Sequence, residues 1–260
     1  MNMNGMNPNA FALDGRVALV TGSGRNIGRE IALACARAGA AVVVNGHRDV
    51  GALDAVVAEI GAAGGRAIAC VADVSDPQAA EGLVTRSIEA FGRLDVVVAN
   101  VGIRRVKPLL EVSLEEWNAT MAVNLTSAFV LARAALPGMI ERGYGRLIHL
   151  SGMPAYTGRY GGKVPALASK AGLQGLAKGI ADEYGHAGVT ANVVAPGMID
   201  TARDWAQYPN VDVERRRQQI PVGRLGSVVD VALACVYLAS EAGSFVNGQT
   251  LHLNGGEVMF

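Results

Sequence analysis

The stretch Thr21-Gly22-Ser23-Gly24-Arg25-Asn26-Ile27-Gly28 sets glycines and a serine between an apolar run, Val17–Val20, and an Ala-rich segment that ends at Gly39. Residues without side-chain bulk let a backbone turn tightly and approach a pyrophosphate. A helix that opens there aims its amide end at the negative charge. The chemistry implied is dinucleotide binding. Charge after the second apolar run separates the dinucleotides, because a carboxylate there would hydrogen-bond the adenosine ribose and repel a 2′-phosphate. The chain has Asn45-Gly46-His47-Arg48 instead, and Arg25 lies within the glycine turn. Two cations, Arg25 and Arg48, can flank a 2′-phosphate through charge-assisted bonds, so NADP(H) is favoured over NAD(H).

Such a turn works only where a scaffold brings strand ends together. Short β-branched runs alternate with longer Ala-rich amphipathic segments. Val17–Val20, Val42–Val44, Ile68–Val71, Val96–Ala99, Leu147–Leu150, Val189–Val194 and Thr250–Leu253 read as seven strands, with helices near 26–38, 50–63, 77–91, 114–141, 165–185 and 228–239. Gly39, Gly64-Gly65, Gly92, Gly143 and the glycines at 185 and 188 fall where those helices should stop. Strands buried on both faces and separated by helices imply a parallel sheet with right-handed crossovers. The expected fold is α/β: a single-domain, doubly wound parallel sheet of about seven strands with helices on both faces, spanning 13–260 after a flexible tail at 1–12. The segment Ile199–Pro221 is longer and more polar than the other connections, and is expected to be a mobile lid over substrate.

With the glycine turn, further motifs resemble the short-chain dehydrogenase/reductase family over residues 14–256, in members of the 3-oxoacyl-acyl-carrier-protein reductase type. These are Ala72-Asp73-Val74, Asn100-Val101-Gly102, Pro196-Gly197 with Thr201, and Leu253-Asn254-Gly255-Gly256. The family's turn is TGxxxGxG; this chain carries Asn26 at the middle glycine, and Asn tolerates left-handed backbone better than most residues. The resemblance implies a Rossmann-like fold. It also implies that Gly22, Ser23, Arg25, Asn26, Ile27, Gly28, His47, Arg48, Asp73, Val74, Asn100, Gly102, Lys170, Pro196, Gly197, Ile199 and Thr201 hold the cofactor.

In that family a Ser orients the carbonyl, a Tyr exchanges the proton, a Lys four residues later holds the nicotinamide ribose and lowers the Tyr pKa, and an Asn supports a water relay. The resemblance assigns these last two roles to Lys170 and Asn124. Four residues before Lys170 stands Ala166 in place of Tyr. The Ser position falls on Gly152, and a shift of one residue brings in Ser151. Three sources remain for the proton: Lys170 through water, Tyr156 or Tyr160 on the loop 155–162, or an acid carried by the substrate. Arg104 and Arg105, just after Gly102, belong at the carboxyl edge of the sheet and point to an anionic or acyl-carrier-linked substrate. His149 alternates with strand core residues and reads as a hydrogen-bonded core histidine.

Half of the 260 residues are hydrophobic, enough for a full core, and the formal net charge of zero gives no electrostatic case for nucleic acid or an anionic membrane surface. A small molecule is the expected partner. Cys35, Cys70 and Cys235 lack CxxC spacing and read as reduced core residues, and no His, Asp or Glu cluster has metal-ligand spacing. No run of about 18 apolar residues is free of charge or clustered glycine, so neither a transmembrane helix nor a signal peptide is expected, and the location expected is cytoplasmic. Pro165 suits the first turn of the helix bearing Lys170, whose Ala168, Gly172, Gly175 and Gly179 share one face. That face, the apolar Val258-Met259-Phe260 ending and the resemblance together imply a homotetramer or homodimer. The expected function is an NADP(H)-dependent oxidoreductase interconverting a carbonyl and an alcohol with a rearranged proton donor. A non-redox lyase or cyclase, or a cofactor-binding regulatory protein on the same scaffold, are the alternatives.

Overall fold

The computed structural model describes residues 9–159, 161–202 and 213–259. Its strands are β1 Val17–Val20, β2 Ala41–Gly46, β3 Ala67–Val71, β4 Val96–Ala99, β5 Gly145–Leu150, β6 Val189–Pro196 and β7 Thr250–Leu253. They pair in parallel in the order β3-β2-β1-β4-β5-β6-β7. Winding reverses between β1 and β4, and a crevice opens there beyond the carboxyl ends of the strands, where ligands bind in open α/β sheets.

The helices are α1 Asn26–Arg37, α2 Val50–Ala62, α3 Pro77–Phe91, α4 Leu114–Met121, α5 Ser127–Glu141, α6 Pro154–Thr157, α7 Val164–Tyr184, α8 Val213–Gln219 and α9 Val228–Ala239. Strand side chains alternate between two cores. Ala18, Val20, Val42, Val44, Ile148 and Leu150 face α1, α2 and α9, while Val17, Leu19, Val43, Val97 and Leu147 face α3, α5 and α7. Local signals fix the helix ends: Asp76 accepts hydrogen bonds from Gln78 N and Ala79 N at the start of α3, and Gly92 ends that helix at φ 79°.

The seven strands and six long helices fall where periodicity put them, with one internal difference. The run 114–141 is divided by a π-helical turn, Ala122–Thr126, between α4 and α5. By length and composition Leu114–Glu141 is also apolar enough to cross a membrane, contrary to the expectation from its scattered charges. Ala128, Leu131, Ala135 and Met139 spend that apolarity on the sheet core. The loop 155–162 begins within the short α6, and α8 lies inside the expected lid, part of which (203–212) falls outside the described residues, as do Tyr160 and residues 1–8.

Asp95, fully buried, fastens β1 to β4: its Oδ2 accepts from Val17 N (2.9 Å) and Arg93 Nε (2.7 Å), and its Oδ1 from Arg93 Nη2 (2.8 Å). Asp95→Ala leaves a buried amide and a half-buried guanidinium without their acceptor and is expected to cost about 2–3 kcal/mol. A lower urea midpoint at unchanged slope would show it.

Candidate active site

The glycine turn is held from both sides. Ser23 Oγ donates to Val20 O (2.7 Å) and accepts from Asn45 N (2.9 Å), which ties the turn to β1 and β2. Asn100, just past β4, donates from Nδ2 to Thr21 O (2.9 Å) and Gly22 O (3.3 Å), while its backbone N donates to Thr21 Oγ1 (3.0 Å). Gly28 cannot be anything else, because a Cβ there would lie 2.2 Å from Gly22 O and 2.6 Å from Asn100 Nδ2. Asn26 stands at φ 49°, the one non-glycine residue with positive φ among those described. Its Oδ1 accepts from Ala202 N (3.0 Å), so it spans from the turn to the segment after β6.

Helix α1 opens from this turn with the extended Arg25 as N-cap and no side-chain cap, whereas α2 and α3 are capped by Asp49 and Asp76. Its first amides and its dipole are left for an external anion, as a pyrophosphate would supply. At the end of β2, Asn45 spends its amide on Cys70 O (3.0 Å) and Ala72 O (3.2 Å), and Asp49 is occupied capping α2. Arg25 and Arg48 are exposed, and neither guanidinium makes a hydrogen bond or a close ion pair among the described residues. His47 Nδ1 lies 3.2 Å from Asp73 Oδ2. Burial pushes the Asp73 carboxyl up, but its hydrogen bonds from Ser75 and the nearby His47 and Arg48 outweigh this and hold it below its ordinary value. Val74 beside it is buried.

The reacting end is built on α7, which buries Pro165, Ala166, Ser169, Leu173 and Ala177 along one face. Lys170 Nζ reaches back to donate to Leu150 O (2.5 Å) and, at a longer 3.5 Å, to Val101 O. A Cβ on its neighbour Gly102 would sit 3.0 Å from Nζ and crowd this arrangement. Burial, and then Arg104, push the Lys170 ammonium down to about 8. Asn124 occupies the π turn, where helices carry one extra residue per turn and functional groups often sit. Its Oδ1 accepts from Ile103 N (2.8 Å) and its Nδ2 donates to Ile103 O (3.0 Å) and Ser169 Oγ (3.0 Å). Asn124 thus fixes the segment that carries Arg104.

Ser151 donates its hydroxyl to Lys170 O (3.0 Å). A Cβ on Gly152 would meet nothing nearer than Pro154 Cδ at 3.7 Å. Tyr156 packs edge-on against His252, with ring centroids 4.8 Å apart and planes at 81°. His149 departs from the sequence expectation. It is buried, but neither ring nitrogen has a hydrogen-bond partner among the described residues, and burial, then Lys170, lower its pKa to about 4.

A cleft of about 400 Å³ runs from the first turn of α1 to Lys170; Gly22, Ser23, Arg25, Asn26, Gly28, His47, Arg48, Asp73 and Val74 do not line it. Ile27, Asn100, Gly102, Asn124, Ser151, Lys170, Pro196, Gly197, Ile199 and Thr201, all anticipated from sequence, line it together with Gly152 and Ala166. Of the two expected arginines, Arg104 lines the cleft while Arg105 lies 3.8 Å from Glu116. Ile103, Met153, Leu167 and Met198 give it apolar walls, and Lys163, Arg216 and Glu257 add charge. These residues were missed. Lys163 precedes α7 as its N-cap residue, and Arg216 sits on α8, a helix too short to announce itself.

The chain belongs to the short-chain dehydrogenase/reductase family; the family model described as enoyl-(acyl carrier protein) reductase matches residues 22–257. A 3-oxoacyl-[acyl-carrier-protein] reductase of Synechocystis is 41% identical over 250 residues, covering 96% of this chain and 99% of that one. Subunit BbsD of the (2S)-[(R)-hydroxy(phenyl)methyl]succinyl-CoA dehydrogenase of Thauera aromatica is 37% identical over 250 residues, with the same coverage. Among solved structures, a short chain dehydrogenase of Burkholderia cenocepacia in complex with NADP is 36% identical, with a TM-score of 0.86 over 94% of this chain and 98% of that one. The protein is accordingly an oxidoreductase enzyme of Rossmann fold.

The packing of the turn sets a sharp expectation. Gly28→Ala should abolish nucleotide binding in calorimetry, whereas Asn26→Gly should bind within a few fold of the parent. Asn26→Val, forced to φ 49°, should lose about 1–3 kcal/mol of stability in urea unfolding.

Proposed function

We propose that the protein is an NADP(H)-dependent carbonyl reductase or alcohol dehydrogenase whose proton is handled by Lys170. The observation that supports this reading is the cleft running from Ile27, in the first turn of the uncapped α1, to Lys170. The residues fit the cofactor. Gly22, Ser23, Ile27 and Gly28 with the α1 amides would hold the pyrophosphate, Asp73 and Val74 the adenine, and Asn100, Gly102, Lys170, Pro196, Gly197, Ile199 and Thr201 the nicotinamide end. The exposed Arg25 and Arg48, with His47, favour the 2′-phosphate of NADP(H) over NAD(H). When bound, the cofactor supplies or accepts the hydride.

The chain's own groups do the rest. Position 166, four before Lys170, offers no phenol, and position 152 offers no hydroxyl. Lys170 therefore holds the exchangeable proton at Nζ, poised near neutrality by its burial. Asn124 keeps the Ile103–Arg104 backbone in place, Ser151 braces the Lys170 carbonyl, and Tyr160 is a second candidate donor from the loop before α7. Arg104, Lys163 and Arg216 give the cleft a cationic lining suited to an anionic or acyl-carrier-linked substrate. Gly175 and Gly179 have open space before them, while Gly172 is filled by Leu125 of the same chain. This open strip on α7 and the exposed Phe129 and Met259 suit a homotetramer or homodimer, working in the cytoplasm.

NADPH oxidation with a panel of anionic ketones, including acyl-thioesters, tests the reading. Product formed with no change in reduced-cofactor absorbance would mark a non-redox lyase or cyclase instead. Tight NADPH binding without turnover would mark a regulatory protein. In the reductive direction the ammonium is the active form. kcat/KM should hold below pH 8 and fall about tenfold per pH unit above it, and Lys170→Met should remove this limb. Ala166→Tyr with Gly152→Ser should raise carbonyl reduction by about 10² or more, the usual contribution of a positioned acid. Arg48→Asp should shift the NADPH/NADH preference by about tenfold or more toward NADH, read from the ratio of kcat/KM values.

A further inference from the structure

The chain carries its positive charge almost entirely on arginine; Lys107, Lys163, Lys170 and Lys178 are the only lysines in the sequence. Lys107 lies 2.9 Å from Glu116, and Lys178 is exposed on α7. The other two line the cleft. Arginine would have supplied the same charge there, but a guanidinium keeps its proton, whereas an amine can release it and then bond to carbon.

The surroundings of Lys170 Nζ suit an uncharged amine. Such an amine has two N–H bonds and one lone pair, against three N–H bonds in the ammonium. Among the described residues Nζ has two acceptors, the carbonyl oxygens of Leu150 (2.5 Å) and Val101 (3.5 Å), and no carboxylate. Both N–H bonds are thereby satisfied, and the lone pair is left for the cleft that Lys170 lines. There is room beside it, because a Cβ on Gly102 would sit 3.0 Å from Nζ and glycine places nothing there. Gly152 and Ala166 line the same cleft without bulk. Arg104, two residues past Gly102, lines it too. Burial, and then this second cation, bring Lys170 to about 8, so that free amine is present at neutral pH.

A desolvated amine next to another cation is a nucleophile toward carbonyl carbon. We propose that Lys170 has a second activity in the nucleotide-free cleft, as the imine-forming nucleophile in the decarboxylation of 3-oxo carboxylates, with Arg104 binding the carboxylate. The Nζ lone pair forms a C–N bond to the ketone carbon. The ketone oxygen takes one proton from Nζ and one from solvent and leaves as water. In the iminium so formed, the bond between the α-carbon and the carboxylate breaks, CO2 departs, and the electron pair moves toward nitrogen as an enamine. The enamine carbon takes a proton from water, and a second water hydrolyses the iminium to release ketone and amine. Nothing is oxidised or reduced, so the activity goes beyond the reductase reading and shares with it only the cleft and Lys170.

The test incubates the full chain, without nucleotide, with acetoacetate and sodium cyanoborohydride, which reduces an iminium to a stable amine. Intact mass should rise by one isopropyl group, and peptide mapping should place that group on Lys170 and not on Lys107, Lys163 or Lys178. Without the hydride reagent, acetone and CO2 should form. Lys170→Arg, which keeps the charge, should abolish both the label and the CO2. Arg104→Gln should lower the preference for trapping acetoacetate over acetone by about tenfold, because acetone has no carboxylate for the guanidinium to bind. An unlabelled Lys170 in the parent protein, or equal labelling of the other lysines, would overturn the proposal whatever the folding of the variants. So would CO2 release by folded Lys170→Arg at the parent's rate. A labelled Lys170 in protein that oxidises no NADPH would leave the imine standing and remove only the reductase reading; NADPH oxidation with Lys170 unlabelled would remove only the imine.

Discussion

The backbone contact between Gly28 and Gly22 is the constraint on which the nucleotide end of the molecule depends. Only hydrogen fits on Gly28, because the Gly22 carbonyl and the Asn100 amide already occupy the place of a side chain. That approach seats the first turn of α1 against the end of β1, and the Asn100 hydrogen bonds to Thr21 and Gly22 clamp it to β4. The reversal of strand order between β1 and β4 is thereby closed by side-chain and backbone bonds at one point. An uncapped helix next to that closure leaves amides unsatisfied within the fold, a cost that an anionic ligand offsets.

At the other end of the cleft, burial does the tuning. Lys170 is held by main-chain carbonyls of two different strand ends, with no carboxylate among its hydrogen-bond acceptors, and desolvation dominates its titration. A carboxylate partner would fix the proton on the ammonium; carbonyl partners orient the group and leave the proton exchangeable near neutral pH. Glycine at 102 belongs to the same arrangement, since a Cβ there would meet Lys170 Nζ and Cε at 3.0 and 3.1 Å.

Much of this was legible from sequence because each element obeys a short-range rule. β-Branched runs separated by Ala-rich segments set the order of strands and helices, and Asp76, Pro77 and Gly92 bracket α3. Asn26 in a glycine's place was readable as left-handed backbone, and it adopts it. What was not legible depends on contacts between distant segments. The π turn at Ala122–Thr126 has no composition signal, because its extra residue is accommodated by Asn124 bonding to Ile103 and Ser169. Periodicity placed His149 inside the sheet correctly but supplied it with partners that the fold does not provide. Lys163 and Arg216 reach the cleft from a helix start and a short helix that are brought there only by tertiary packing. Conversely, Gly172 looked available for a second subunit until the fold set Leu125 against it.

The bond from Ala202 N to Asn26 Oδ1 joins the glycine turn to the exit of β6 across 176 positions of sequence. A glycine at 26 would make the same bend but could not hold that amide. The shape of the turn and that of the far wall are therefore yoked through one carboxamide, so that selection acting on either will be felt by the other.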